Sequence, residues 1–163
     1  MRRGSVTDVK NRHRKRWTQF GRSGGARHAA SDKGSPKVNR FGLTFDTGAL
    51  FALERRTQRI WDIYRTAMHD AIPITVPVAV VLEWWRGRTG VRERILGGIR
   101  VEPLHLALAR AAGEALASVT SASAIDAVVM ASAALRGDVV YTSDVPDLER
   151  LRRHFPTVRV LAV

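Results

Sequence analysis

Five carboxylates in this 163-residue chain stand where they can act on one substrate. Asp46 closes the stretch Phe41-Gly42-Leu43-Thr44-Phe45, which is strand-forming in type, and a helix-like segment follows it. Open parallel sheets gather ligands beyond the carboxyl ends of their strands, so Asp46 is expected at a site. Asp144 follows a second strand-like run ending in Tyr141-Thr142-Ser143. Asp126 falls in the first turn of a helix that Ser123 is suited to cap. Glu83 interrupts the apolar run Val78-Ala79-Val80-Val81-Leu82, where a charge is costly unless paired or metal-bound. Asp147 lies one helical step beyond Asp144.

Acids brought together need a cation. No Lys occurs after Lys37, and the five histidines show no metal-ligand spacing. The absence of Cys excludes disulfides, zinc-thiolate sites and thiol nucleophiles. Oxygen donors alone suit Mg²⁺ or Mn²⁺ better than Zn²⁺. Such an ion among carboxylates activates water and shields phosphate oxygens, so phosphodiester hydrolysis is the natural chemistry. Plainer roles compete with this one. Asp126 favours a helix N-terminus on its own account, Asp147 suits a cap or the surface, and Glu83 is spaced to pair with Arg86. Glu54, Asp62, Asp70, Glu102, Asp138 and Glu149 read as solvated positions.

The elements that must position these acids alternate. Strands are predicted over Gly42–Phe45, Ile74–Val76, Ile99–Glu102, Asp138–Thr142 and Val158–Val163, the last at or near an edge. Helices are predicted over Gly48–Arg55, 58–71, Val78–Arg86, 91–97, Leu104–Ala117, Ser123–Arg136 and Pro146–His154. Pro77 suits a first helical turn, and Gly137 a helix end. Alternation of this kind implies an α/β fold with a mainly parallel sheet and helices on both faces.

Charge divides the chain. Residues 1–40 carry twelve Lys and Arg against two Asp, whereas residues 41–163 carry fifteen Arg against thirteen Asp and Glu. The basic stretch shows no sustained apolar period and is expected to be a disordered tail, either touching nucleic acid or lying upstream of the true translation start. Trp17 beside Arg14, Lys15 and Arg16 has the chemistry to stack on a base. No apolar h-region follows the basic N-terminus, and no apolar run is long enough to span a bilayer, so a cytoplasmic protein is expected.

With Asp46, Glu83, Asp126 and Asp144 in this order, residues 41–163 resemble the PIN-domain ribonucleases, in particular the VapC-type toxins of toxin–antitoxin pairs. The resemblance rests on Gly42–Leu50, Pro77–Glu83, Ile125-Asp126-Ala127, and Tyr141-Thr142-Ser143-Asp144 with Asp147-Leu148. It implies a three-layer α/β/α fold and a metal-dependent endoribonuclease. Asp46, Glu83, Asp126 and Asp144 would be the catalytic and metal-holding quartet, with Asp147 as an auxiliary acid. Thr142 or Ser143 would orient an acid or water. Mg²⁺ or Mn²⁺ would be the cofactor, RNA the substrate, and an antitoxin the partner of a homodimer.

Other readings of Asp46 meet obstacles. The aspartic protease signature Asp46-Thr47-Gly48-Ala49 belongs to an all-β fold with two such aspartates. A receiver domain needs a Lys in the body, and a haloacid-type phosphatase a second Asp where Gly48 stands. The remaining alternative is a non-catalytic PIN-like module that binds RNA or a partner.

Overall fold

The computed structural model describes residues 41–163, and the expectations for the basic tail and Trp17 lie outside the described residues. The described residues form, in order, β1 (Leu43–Phe45), α1 (Thr47–Glu54), α2 (Gln58–His69), β2 (Ile74–Pro77), α3 (Val78–Trp84), α4 (Gly90–Gly98) and β3 (Arg100–Glu102). They continue through α5 (Leu106–Ser118), α6 (Ala124–Arg136), β4 (Val139–Thr142), α7 (Val145–Leu151) and β5 (Arg159–Ala162). The predicted alternation is present, with ends shifted by a few residues where caps decide them. Thr89, for example, accepts the amide of Arg92 and starts α4 one residue before the predicted 91.

The five strands pair in the order β3-β2-β1-β4-β5, and every pairing is parallel. β5 lies at an edge, as expected. From β1 the chain steps to β2 and β3 on one side, then crosses to β4 on the other side and on to β5. Right-handed crossovers therefore put α1–α4 on one face and α5–α7 on the other. The packing agrees: α1 touches α2, α3 and α4, while α6 lies between α5 and α7. This is the expected α/β/α sandwich, and its strand order reverses between β1 and β4.

α6 is the central helix of its face. Its run Ala127-Val128-Val129-Met130-Ala131-Ser132-Ala133 has no charge, and all seven residues are buried. A helix apolar on every side belongs in a core, and α6 packs on β1, β2, β4, α3, α5 and α7. Gly137 ends it at φ 73°, a left-handed conformation that a Cβ would disfavour.

Three acids read as solvated are instead buried or half-buried and paired with arginine. Asp138 is 4 % exposed and accepts from Thr44 Oγ1 at 2.9 Å and Arg136 Nε at 2.8 Å. Arg136 also reaches Glu102 at 2.6 Å, Thr44 at 3.0 Å and Ser132 at 2.8 Å. Burial alone would raise Glu102, but hydrogen bonds from Ser132 and Arg136 outweigh it and hold this carboxyl below its ordinary range. One guanidinium thus ties β1, β3 and the start of β4 to the end of α6. On the opposite face Glu54 accepts from the buried Trp84 indole at 3.0 Å and pairs with Arg92 at 3.1 Å. Sequence spacing hides these pairs because most of their partners lie tens of residues away.

Removing one partner of a buried ion pair leaves the other charge uncompensated, at about 3–5 kcal/mol. Arg136→Met is expected to lower unfolding free energy by about that amount in urea. Arg159→Met, on the exposed edge strand, should change it by less than about 0.5 kcal/mol.

Candidate active site

The reversal between β1 and β4 opens a crevice beyond the carboxyl ends of two adjacent parallel strands. Thr44 pairs with Val140 and Phe45 with Tyr141, so the next residues, Asp46 and Thr142, come level. The amide of Asp46 donates to Tyr141 O at 3.2 Å and extends the ladder by one bond. Ligand sites of open α/β sheets form at such switch points.

Asp46 is also the N-cap of α1. One carboxylate oxygen accepts the Ala49 amide at 2.6 Å, and the other accepts the Thr142 hydroxyl at 2.5 Å. That hydroxyl accepts the Asp144 amide at 2.8 Å, which directs its proton towards Asp46. Thr142 therefore fixes one acid through its oxygen and the backbone of another. Asp144 caps α7 by accepting the Asp147 amide at 3.4 Å, and its side chain remains exposed.

Asp126 is reached from the opposite face. Ser123 accepts the Asp126 amide at 3.1 Å and donates to its carboxylate at 2.7 Å, a reciprocal cap at the start of α6. Glu83 does not pair with Arg86. It is exposed on α3 and accepts the hydroxyl of Thr47, the residue after Asp46. Asp147 is bound to Arg150 at 2.7 Å.

Ser143 has a packing role. A Cβ on Gly48 would fall 1.9 Å from Ser143 Oγ and 2.7 Å from its Cβ, so Gly48 lets the β4–α7 turn lie directly on α1. Thr47 and Gly48 are supporting residues that sequence reasoning passed over. Their one signal was position, immediately after a strand-end acid.

The acids feel one another. Burial pushes the Asp46 carboxyl up to about 6, against the hydrogen bonds from Thr142 and Ala49, and the charges of Asp126 and Glu83 push it the same way. Burial also raises Asp126, with Ser123 opposing and Asp147 and Asp144 adding to the rise. Asp126 thus lies within electrostatic reach of Asp46 on one side and of Asp144 and Asp147 on the other, while Glu83 acts on Asp46. Among the described residues, no ion pair includes Asp46, Glu83, Asp126 or Asp144, whereas Glu54, Glu102 and Asp138 each have an Arg.

The donor set consists of carboxylate and hydroxyl oxygens, which suits a hard divalent cation. Among the described residues, no three His, Asp or Glu are gathered tightly enough to enclose an ion by themselves. Mg²⁺ commonly keeps several waters and takes one or two carboxylates, so an open acidic crevice fits its habits.

Solved structures share the fold. A chain of the DNA-bound VapBC complex from Salmonella typhimurium matches with a TM-score of 0.59 and 17% identity, over 75% of this chain and 98% of that one. A chain of VapBC2 from Rickettsia felis, bound to a promoter DNA fragment, gives 0.60 and 10% identity, over 74% and 98%. The chain has a PIN-type fold. A chain of FitAB bound to the IR36 DNA fragment gives 0.52 and 17% identity, over 74% and 94%. No protein-family model and no curated protein matches the sequence. Among the described residues no helix is long and apolar enough to cross a membrane.

The raised Asp46 carboxyl has a sign that can be measured. Its proton is held more tightly in the folded chain than at the ordinary 3.8, so folding loses stability as pH rises from about 3.8 to about 6. A shift of roughly two units is worth about 3 kcal/mol. Asp46→Asn is expected to stabilise the metal-free protein above pH 6 by up to about 3 kcal/mol, with the advantage shrinking towards pH 4. Denaturant titrations of both proteins across this range check it. A gap that does not change with pH contradicts the assignment.

Proposed function

We propose that this protein is a metal-dependent endoribonuclease, the toxin of a type II toxin–antitoxin pair. The observation that carries the reading is the set of acids at the PIN-type switch point that have no Arg or Lys partner. The same chain pairs its other buried acids with arginine. An unneutralised acidic crevice repels a phosphodiester, and a cation that neutralises it turns the crevice into a phosphate site.

Asp46, Glu83, Asp126 and Asp144 would hold Mg²⁺ or Mn²⁺. The ion supplies charge neutralisation at phosphate oxygens, Lewis acidity and an acidified water. The chain's own residues do the positioning. Thr142 fixes Asp46 and leaves the exposed Asp144 carboxylate facing solvent, Thr47 holds Glu83, and Ser123 holds Asp126 at the crevice. Asp147 tempers Asp126 through its charge while Arg150 keeps it in place. RNA laid across this edge would meet the acids from both faces of the sheet.

The VapBC and FitAB complexes support an antitoxin as partner. Val78 and Leu82, exposed one turn apart on α3 beside Glu83, give a partner an apolar hold next to the acids. A homodimer in the cytoplasm is part of the same proposal.

Asp46→Asn and Asp144→Asn should each reduce RNA cleavage by at least about a thousandfold while the proteins remain folded. Excess EDTA should stop the wild type. Mg²⁺ should raise the melting temperature of the wild type above pH 6 and leave Asp46→Asn nearly unmoved. Full cleavage by Asp46→Asn, or activity undiminished in EDTA, would remove the metal-nuclease reading. RNA binding without cleavage by the wild type in Mg²⁺ would point to the binding-module alternative. Toxicity on expression, relieved by co-expressing the neighbouring gene, tests the pairing.

A further inference from the structure

A cavity of about 570 Å³ lies between the stretch joining α5 to α6 and the end of α7. It is lined by Ser118, Thr120 and Ser121 on one wall and by Arg150, Arg153 and His154 on the other. We propose that this cavity seats a backbone phosphate of the RNA strand whose neighbouring linkage lies at the acidic crevice. The inference rests on the nuclease reading and adds to it where the strand runs.

The lining has the chemistry of an anion site. Two guanidinium groups and an imidazole line it with the hydroxyls of Thr120 and Ser121, while the Ser118 hydroxyl donates to Glu114 O at 3.2 Å, and no carboxylate lines the cavity. Guanidinium forks match phosphate oxygens in pairs, and Ser and Thr hydroxyls complete such shells. Arg153 is exposed and enters no ion pair among the described residues, so its charge is available to a ligand. Arg150 is tied to Asp147 at 2.7 Å and marks the border between the basic cavity and the acids.

Both walls continue into the acidic crevice. Asp144 caps the helix that carries Arg150, and six residues of helix rise about 9 Å. Ser121 stands two residues before Ser123, which holds Asp126. A strand crossing the acids therefore reaches the border of the cavity at Arg150. Charges of opposite sign at that spacing fix the direction and register of the strand, because the cavity takes a bare phosphate and the crevice takes one only with its cation. The run Arg150-Leu151-Arg152-Arg153-His154 was the sequence signal, and helical periodicity alone gave it no task.

The test uses the full chain and a fluorescently labelled short single-stranded RNA. Binding is followed by anisotropy in EDTA over a salt series, and cleavage is followed in Mg²⁺. Arg153→Ala should weaken binding roughly tenfold and reduce the slope of log affinity against log salt by about 0.7, the value for one single-strand phosphate contact. Cleavage should show a raised KM with kcat close to wild type, and Arg153→Lys should recover most of the affinity. Unchanged affinity and slope in Arg153→Ala overturns the proposal. So does an unchanged RNA affinity together with weakened binding of the neighbouring gene's product, which would assign the cavity to a protein. Cleavage at wild-type KM by Arg153→Ala removes the phosphate seat and leaves the nuclease reading intact. Arg153-dependent RNA binding by a wild type that cuts nothing keeps the seat and removes the nuclease.

Discussion

The side-by-side, parallel pairing of β1 and β4 is the constraint on which the rest depends. It brings two strands from opposite ends of the described chain into register, so that Asp46 and Thr142 become neighbours. Because the sheet is wound one way from β1 and the other way from β4, no crossover helix covers the gap above them. The caps of α1 and α7 then fall at this gap, and both caps are aspartates. The remaining acids arrive from the ends of α3 and α6. A sheet ordered otherwise would have the same acids at the ends of the same elements and no common crevice.

Two kinds of buried or half-buried acid coexist in this chain. Asp138, Glu102 and Glu54 are matched by Arg136 and Arg92, and they hold layers together. Asp46 and Asp126 are met only by neutral donors, and neighbouring carboxylates add to the rise of each. A buried carboxylate without a counter-charge loads the native state, and folded proteins tolerate such loads chiefly where a site requires them. The contrast within one molecule separates structural from functional acids better than exposure does, since Glu83 and Asp144 are exposed while Asp138 is buried.

That contrast also marks the limit of what the sequence revealed. Strand-end position made Asp46 and Asp144 legible, and the Ser123 cap made Asp126 legible, because each is a local pattern. The parallel sheet followed from alternation. Glu102 was misread because its partner Arg136 lies 34 residues further on, and Asp138 because its burial also needs Thr44, 94 residues upstream. Glu83 drew notice for an apolar setting, yet it is exposed and its partner Thr47 comes from 36 residues upstream. Gly48 and Ser143 meet only in the folded chain, and the cavity beside α7 exists only once the α5–α6 stretch is laid against it. Local chemistry is written in short spacing, whereas pairings across the sheet are set by topology.

Arg136 has a consequence for Asp126. The two residues occupy opposite ends of α6, about 15 Å apart along the axis. One end is clamped to three strands by a single guanidinium, and the other presents a carboxylate to the crevice. α6 therefore behaves as a strut of fixed length and fixed phase. A residue inserted between Asp126 and Ser132 would leave the clamp intact but turn the carboxylate by about 100° away from Asp46. The number of residues in that buried stretch is thus a dimension of the site, as binding as the identity of any acid in it.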